Sequence, residues 1–167
     1  MKFIIKGETW KLGDDINTDM IIAGPHLTIK DTDTMASHVL EGVIPEFAKK
    51  VKPGDILVAG KNFGCGSSRE IAAVLLKHLK VGAIVAESFA RIFFRNAINI
   101  GLPVLECKNI SKKVDKGQRL ELNLTLGDIK NISKGETYKG TKLPDFLLEI
   151  IEAGGALEVL KRKMVKK

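Results

Sequence analysis

Asp55-Ile-Leu-Val-Ala-Gly60 and, after one lysine, Asn62-Phe-Gly-Cys-Gly-Ser-Ser-Arg-Glu70 form the stretch that decides how this chain is read. The first run is short, apolar and bounded by glycines, so it reads as a buried strand. Residues 71–79 carry their apolar side chains at helical spacing. The intervening stretch is therefore a strand-to-helix loop. Gly64 and Gly66 permit backbone dihedrals closed to other residues and let a ligand approach the main chain. Ser67, three residues before Glu70, spells a capping box. Such a helix start presents unpaired N–H groups and the positive end of the helix dipole, which suits a carboxylate or phosphate. Arg69 adds a fixed cation beside it.

Downstream, residues 82–86 read as another buried strand, residues 89–98 as an amphipathic helix ending at Gly101, and residues 103–107 as a third strand. That is α/β punctuation. From Arg119 the period falls to two: Leu120, Leu122, Leu124 and Leu126 alternate with polar residues, and Gly127-Asp128 supplies a turn. An antiparallel sheet with one wet face follows. Pro144 opens a helix through Ile151, Gly154-Gly155 breaks it, and residues 156–163 form a basic last helix. Upstream, residues 3–13 read as two short strands around a Gly7-Glu8 turn. Residues 13–19 gather Asp14, Asp15, Asn17 and Asp19 into a polar loop that reads as an Asx-type turn. Metal binding there is a weaker reading, because the spacing lacks the glycine and terminal glutamate of a calcium loop. Residues 25–33 are a second polar loop with the length of a lid or specificity loop. Residues 35–40 and 46–50 read as short helical pieces on either side of Pro45.

The bulk properties narrow the function classes. At 167 residues the length predicts a single domain over 1–167, able to bury a core without staples. Two cysteines, no leader-like apolar segment and no run long enough to cross a bilayer predict a cytoplasmic protein with free thiols and no membrane partner. A net charge of +7 and a pI near 9.4 could attract nucleic acid. However, the excess lies in scattered lysines and the 161–167 tail, and 5% aromatic residues offer no base-stacking platform. No nucleic-acid partner is expected.

Three motifs in order carry a resemblance. Asn17-Thr-Asp19 followed by Ile-Ile-Ala-Gly24, the Gly66-Ser-Ser-Arg-Glu70 loop, and Ser88-Phe-Ala-Arg-Ile-Phe-Phe-Arg-Asn-Ala-Ile-Asn99 resemble the small subunits of the 3-isopropylmalate dehydratase family, of the small, archaeal type. These are the swivelling domain of the aconitase superfamily made as a separate chain. The resemblance runs from about Trp10 to Pro103. It implies a three-layer β/β/α fold with a mixed sheet, hydro-lyase chemistry on a hydroxy di- or tricarboxylate, and a large partner subunit carrying a 4Fe–4S cluster.

Moving a hydroxyl between adjacent carbons needs a Lewis acid on the leaving hydroxyl, a base for the carbon-bound proton and fixed cations for the carboxylates. By the family pattern Ser67 is the base as an alkoxide, Arg69 holds a substrate carboxylate, and Asp19 orients a catalytic group. Gly66 and Ser68 then offer N–H groups to a carboxylate. Each has a plainer competitor: Ser67 as helix cap, Ser68 as first-turn helix, Asp19 as a turn residue. Arg91, Arg95 and Asn96 follow the family's wording but serve equally well to pack the helix against the loop. His26, His38 and His78 read as structural or surface histidines.

A cubane cluster with one open iron takes three protein thiolates. Cys65 and Cys107 cannot supply three, so no cofactor is expected on this chain and the cluster is expected on the large subunit. Small subunits of the family that this chain resembles read the malate substituent with the loop after the Thr-Asp motif; in the corresponding Pro25-His26-Leu27-Thr28, His26 replaces the family's usual tyrosine and Thr28 stands where homoaconitase-like members carry arginine. With Lys30 nearby these form the expected substrate-binding set. A neutral substituent is favoured, so isopropylmalate leads, ahead of homoaconitase-type and citramalate- or dimethylmalate-type substrates. A different class of reading takes Gly64 to Arg69 as an anion nest without catalysis, although it lacks a P-loop lysine and a dinucleotide fingerprint.

Overall fold

The computed structural model describes residues 3–166. Its seven strands are β1 (Ile4–Lys11), β2 (Ile56–Ala59), β3 (Ala83–Ala86), β4 (Val104–Glu106), β5 (Arg119–Asn123), β6 (Asp128–Asn131) and β7 (Glu136–Lys139). They form one mixed sheet in the order β4-β3-β2-β1-β5-β6-β7. Strands β1 to β4 pair in parallel, and β1, β5, β6 and β7 pair antiparallel. Two halves of opposite character therefore share β1.

The two halves use different lengths of that strand. Ile4 to Glu8 pair with β5, and Thr9 to Lys11 with β2. The expected turn at Gly7-Glu8 is absent, and the backbone runs straight through. Gly7 is there for clearance: a Cβ at this position would lie 2.0 Å from the Gly54 carbonyl oxygen, in the approach to β2. Glycine in a strand interior marks close backbone approach as readily as a turn.

Strands β2 and β3 are buried at every position, as a parallel sheet covered on both faces requires. In β5 only Leu120 and Leu122 are buried, at alternate positions. The period-two pattern overruns the strand, because Leu124 and Leu126 fall in the turn before β6, where Leu124 is buried and Leu126 exposed. The sheet curls until its edges meet: Thr141 N donates to the Glu106 carbonyl at 2.8 Å, joining the end of β7 to the end of β4. The antiparallel half thereby packs as a layer over the parallel half.

The principal helices are α4 (Glu70–His78), α5 (Arg91–Asn99), α7 (Asp145–Ala153) and α8 (Ala156–Val165); shorter ones are α1 (Thr18–Ile21), α2 (Thr32–Ala36), α3 (Phe47–Lys50) and α6 (Ile110–Lys113). Helix α4 buries Ala72, Ala73, Leu75 and Leu76, and α5 buries Phe93, Ala97 and Ile98. Complete burial of one large apolar side chain contributes about 1.5–3 kcal/mol, so these faces hold both helices firmly to the sheet. Helix α5 in turn packs on α4 and α7, completing the outer layer of a β/β/α arrangement. Both α4 and α5 follow parallel strands, so their first turns stand at the carboxyl ends of β2 and β3, where open α/β sheets gather ligands.

Candidate active site

The loop between β2 and α4 is held by the acidic loop, residue against residue. Asp14 Oδ1 accepts from Lys61 N at 2.7 Å, Asp15 N donates to the Lys61 carbonyl, Gly64 N to the Ile16 carbonyl, and Thr18 N to the Cys65 carbonyl. Asn17 and Cys65 form a parallel bridge, and Phe63 forms another with Phe89 in front of α5. The polar cluster at 14–19 is therefore largely an anchor for the glycine loop. Its one local Asx cap is Asn17 Oδ1, accepting from Met20 N.

This anchoring sets where α4 begins. Arg69, not Ser67, occupies the N-cap position, and no side chain caps the helix. The Ser67 carbonyl accepts from Thr18 Oγ1 at 2.9 Å and from Arg69 N at 2.9 Å, so Ser67 is tied to the acidic loop ahead of the N-cap. The capping-box reading fails for that reason. Its hydroxyl, free of capping, lies 3.3 Å from Thr18 Oγ1. Since Thr18 spends its one proton on the Ser67 carbonyl, Ser67 is the donor in that contact. Gly64 has φ +84, and a Cβ there would meet Phe93 Cγ at 2.2 Å. The loop thus lies directly on α5, a close approach open to glycine alone.

Thr18, Gly64, Gly66, Ser67, Ser68, Arg69, Arg91 and Asn96 are among the residues lining one cleft of 210 Å³. Ser67 and Ser68 are exposed, Arg69 half-buried, and Thr18 buried. Arg69 Nη1 donates to Asp19 Oδ1 at 3.1 Å and to the Ile22 carbonyl at 3.0 Å, which fixes the guanidinium. Asp19 also accepts from Gly24 N. It touches the cleft through Arg69 and does not line it. Two guanidiniums, one hydroxyl pair and the first turns of two helices thus converge on a small opening, an arrangement suited to a ligand with two carboxylates.

Arg91 and Asn96, left open between packing and substrate contact by the sequence, stand on the cleft wall, while Arg95 does not. Thr18 is the residue that sequence reasoning passed over, since its pairing with Ser67 spans 49 positions. Of the expected substrate-binding set, His26, Leu27, Thr28 and Lys30 do not line this cleft. The 3-10 helix Gly24–Thr28 carries His26 onto Glu41 and His38, Leu27 packs against the core, Thr28 Oγ1 lies 3.4 Å from the Pro25 carbonyl, and Lys30 is exposed. The loop nevertheless starts beside the site: a Cβ on Gly24 would be 3.6 Å from Arg69 Nη2. His78 bonds to Asp33 at 2.6 Å. A larger hollow of 330 Å³, lined by Phe89, Arg91, Phe94, Glu106, Thr141 and Leu143, lies at the closing seam of the sheet and is bordered by neither Ser67 nor Arg69.

The chain's residues do not fit an iron–sulfur cluster. Cys65 is half-buried in the glycine loop and Cys107 is buried beyond β4, its Sγ 3.6 Å from the Lys139 carbonyl. Burial pushes the Cys107 thiol up, which disfavours a thiolate ligand. A third cysteine is absent from the sequence. Among the described residues no helix is long and apolar enough to cross a membrane.

Comparison with known proteins bears on all of this. The family described as the aconitase C-terminal domain matches residues 15–110. The isopropylmalate/citramalate isomerase small subunit of Methanocaldococcus jannaschii is 54% identical over 166 residues, 99% of each chain. The 3-isopropylmalate dehydratase small subunit of Methanosarcina acetivorans is 55% identical, covering 95% of this chain and 97% of its own. The methanogen homoaconitase small subunit of Methanothermobacter thermautotrophicus is 53% identical, covering 93% and 89%. A crystal structure of 3-isopropylmalate dehydratase from M. jannaschii superposes with a TM-score of 0.91 at 43% identity, covering 98% of both chains.

Proposed function

The chain belongs to the 3-isopropylmalate dehydratase small subunits, within the aconitase C-terminal domain family, and from that premise we propose that it is the small subunit of a two-chain hydro-lyase. The enzyme interconverts 2-isopropylmalate and 3-isopropylmalate by dehydration and rehydration, a step of leucine biosynthesis. The observation that carries this reading is the open cleft in which Ser67, Arg69 and Arg91 stand together. In it, Ser67 takes the carbon-bound proton as the hydroxyl departs from the adjacent carbon, and returns a proton when water adds in the opposite sense. Arg69, held by Asp19, grips one carboxylate, and the N–H groups of Gly66 and Ser68 face the other.

An ordinary serine hydroxyl is far too weak an acid for this role. A helix terminus stabilises an anion by about 0.3–2 kcal/mol, and one pKa unit is about 1.4 kcal/mol, so the dipole supplies roughly 0.2–1.4 units. The remainder needs preorganised donors and exclusion of water. Thr18 is one such donor, because its proton can turn from the Ser67 carbonyl to the Ser67 alkoxide without moving the backbone. Exclusion of water cannot come from this chain, in which Ser67 is exposed. It calls for a second surface, that of the large subunit, and the same subunit would bring the 4Fe–4S cluster that the cysteines here do not fit.

The substrate reading rests on the loop after Gly24. A pocket for an isopropyl group need only be apolar and wide enough, whereas one for a further carboxylate must offset its desolvation with a cation. With Thr28 at the decisive place, the enzyme takes the neutral substituent. The test compares catalytic efficiencies of wild type and Thr28→Arg, each joined to one large subunit, on isopropylmalate and homoaconitate. Wild type should prefer isopropylmalate, and the substitution should weaken isopropylmalate and improve homoaconitate, shifting the ratio by at least the roughly 10–200-fold that one methylene can discriminate. A wild type that already prefers homoaconitate overturns the substrate choice and points to Lys30 as the reader of the extra carboxylate. Indifference of both substrates to the substitution removes residues 25–30 from specificity.

A further inference from the structure

On the face beyond the Asp19–Arg69 pair, His26, His38 and Glu41 come together from two separate turns. His26 Nε2 lies 2.6 Å from Glu41 Oε1, and His38 Nδ1 lies 2.8 Å from Glu41 Oε2. The two imidazoles stack at 3.8 Å with planes 8° apart. One ligand atom from each residue lies within 4.8 Å of the other two. We propose that His26, His38 and Glu41 form a binding site for one divalent transition-metal ion of the zinc class.

Two imidazoles and one carboxylate are a ligand set that suits Zn²⁺ when a water takes the fourth position. Zn–N and Zn–O distances of about 2.0–2.2 Å place tetrahedral ligand atoms roughly 3.3 Å from one another. The two bonded pairs, at 2.6 and 2.8 Å, open by about 0.5–0.7 Å to reach that spacing, and the stacked imidazoles splay, because one ion has to lie near the plane of each ring. Glu41, whose side chain is 44% exposed, can take up the opening of the pairs, while the splay falls on His26 and His38, whose side chains are 24% and 31% exposed. On metal binding each ring N–H now facing Glu41 moves to the other ring nitrogen, and the freed lone pair goes to the ion.

The geometry is fixed by its supports. Leu40, buried and left-handed at φ 57, is anchored by its N–H to the Ile21 carbonyl at 2.9 Å, and this turn sets Glu41 beneath His38. Beside the cluster opens a cleft of 320 Å³, lined by His38 and Glu41 together with Asp19, Met20, Ala23, Gly42 and Val43. It gives an ion and its water a path from solvent. A bound ion would clamp the 3-10 helix to residues 38–41.

The experiment uses the full chain, freed of metal with a chelator, and Co²⁺ as a visible probe followed by Zn²⁺. One equivalent of Co²⁺ should bind with tetrahedral d–d absorption and without a thiolate charge-transfer band, Zn²⁺ should displace it, and Zn²⁺ should raise the thermal unfolding midpoint. His38→Ala and Glu41→Ala should each weaken the ion at least tenfold and abolish the thermal shift, whereas His78→Gln should change neither. Failure of the wild-type chain to take up either ion at submillimolar concentration overturns the site. So does undiminished uptake by a His26→Ala/His38→Ala double variant, or a charge-transfer band showing ligation at Cys65.

Discussion

Ser67→Ala should lower turnover of the complex with the large subunit by about 10²–10⁴-fold, the range that a positioned general base contributes. The fold should scarcely register the change. Ser67 is exposed and caps no helix, its backbone carbonyl keeps the Thr18 and Arg69 hydrogen bonds in the variant, and α4 still begins at Glu70. A surface substitution of this kind shifts stability by about 0.5 kcal/mol or less. Affinity for the large subunit should stay within tenfold. This separation of turnover from stability distinguishes a base from a structural serine. Thr18→Val should fall between the two, lowering turnover through loss of the donor to the alkoxide and costing some stability because a buried side chain loses its bond to the Ser67 carbonyl. Near-normal turnover of Ser67→Ala would place the base on another residue.

Arg69→Ala carries the second large effect. Removing one partner of a hydrogen-bonded charge pair costs about 2–5 kcal/mol, and each 1.4 kcal/mol is about tenfold. The specificity constant for isopropylmalate should therefore fall by roughly 30- to 4,000-fold. Arg69→Lys should recover only part of this and show mainly a raised KM, since an ammonium cannot reproduce a bidentate fork. Asp19→Asn keeps an acceptor for Arg69 Nη1 but removes its charge, and its effect should be smaller than either. If Arg69→Lys matches wild type in KM, the carboxylate is held elsewhere, and Arg91, the other guanidinium on the cleft wall, becomes the candidate.

The parts of this fold that were legible in the sequence are those written locally. Four-residue apolar runs bounded by glycine became β2 and β3, and helical spacing in residues 71–79 became α4 within a residue at each end. The resemblance carried by three ordered motifs implied the layered arrangement. What could not be read is set by contacts between distant segments. The straight passage of β1 through Gly7 depends on Gly54 lying against it. The failure of the capping box depends on Thr18 tying Ser67 to the acidic loop, across a separation that no local pattern encodes.

The candidate site divides in the same way. The glycines, Ser67 and Arg69 announce themselves in one loop, but Arg91 and Asn96 were undecided until the Phe63–Phe89 bridge brought the start of α5 against that loop. His38 reads as a structural or surface histidine and His26 as that or as part of the substrate loop, because nothing twelve residues apart in a turn-rich segment predicts a stacked pair on one carboxylate. Polar loops conceal such partnerships because their conformations follow from tertiary contacts rather than from a periodic pattern.

The central claim is that catalysis requires this chain to complete a site begun on another. Its most direct measurement is an anaerobic titration of a cluster-bearing large subunit with this chain, reading isopropylmalate turnover and assaying iron and labile sulfide in each component. The account predicts a colourless, iron-free and inactive small subunit, activity that rises to a break at one equivalent, and iron and sulfide wholly on the large subunit. Turnover by this chain alone, stoichiometric iron on it, or a Ser67→Ala chain that titrates to the same plateau would contradict it.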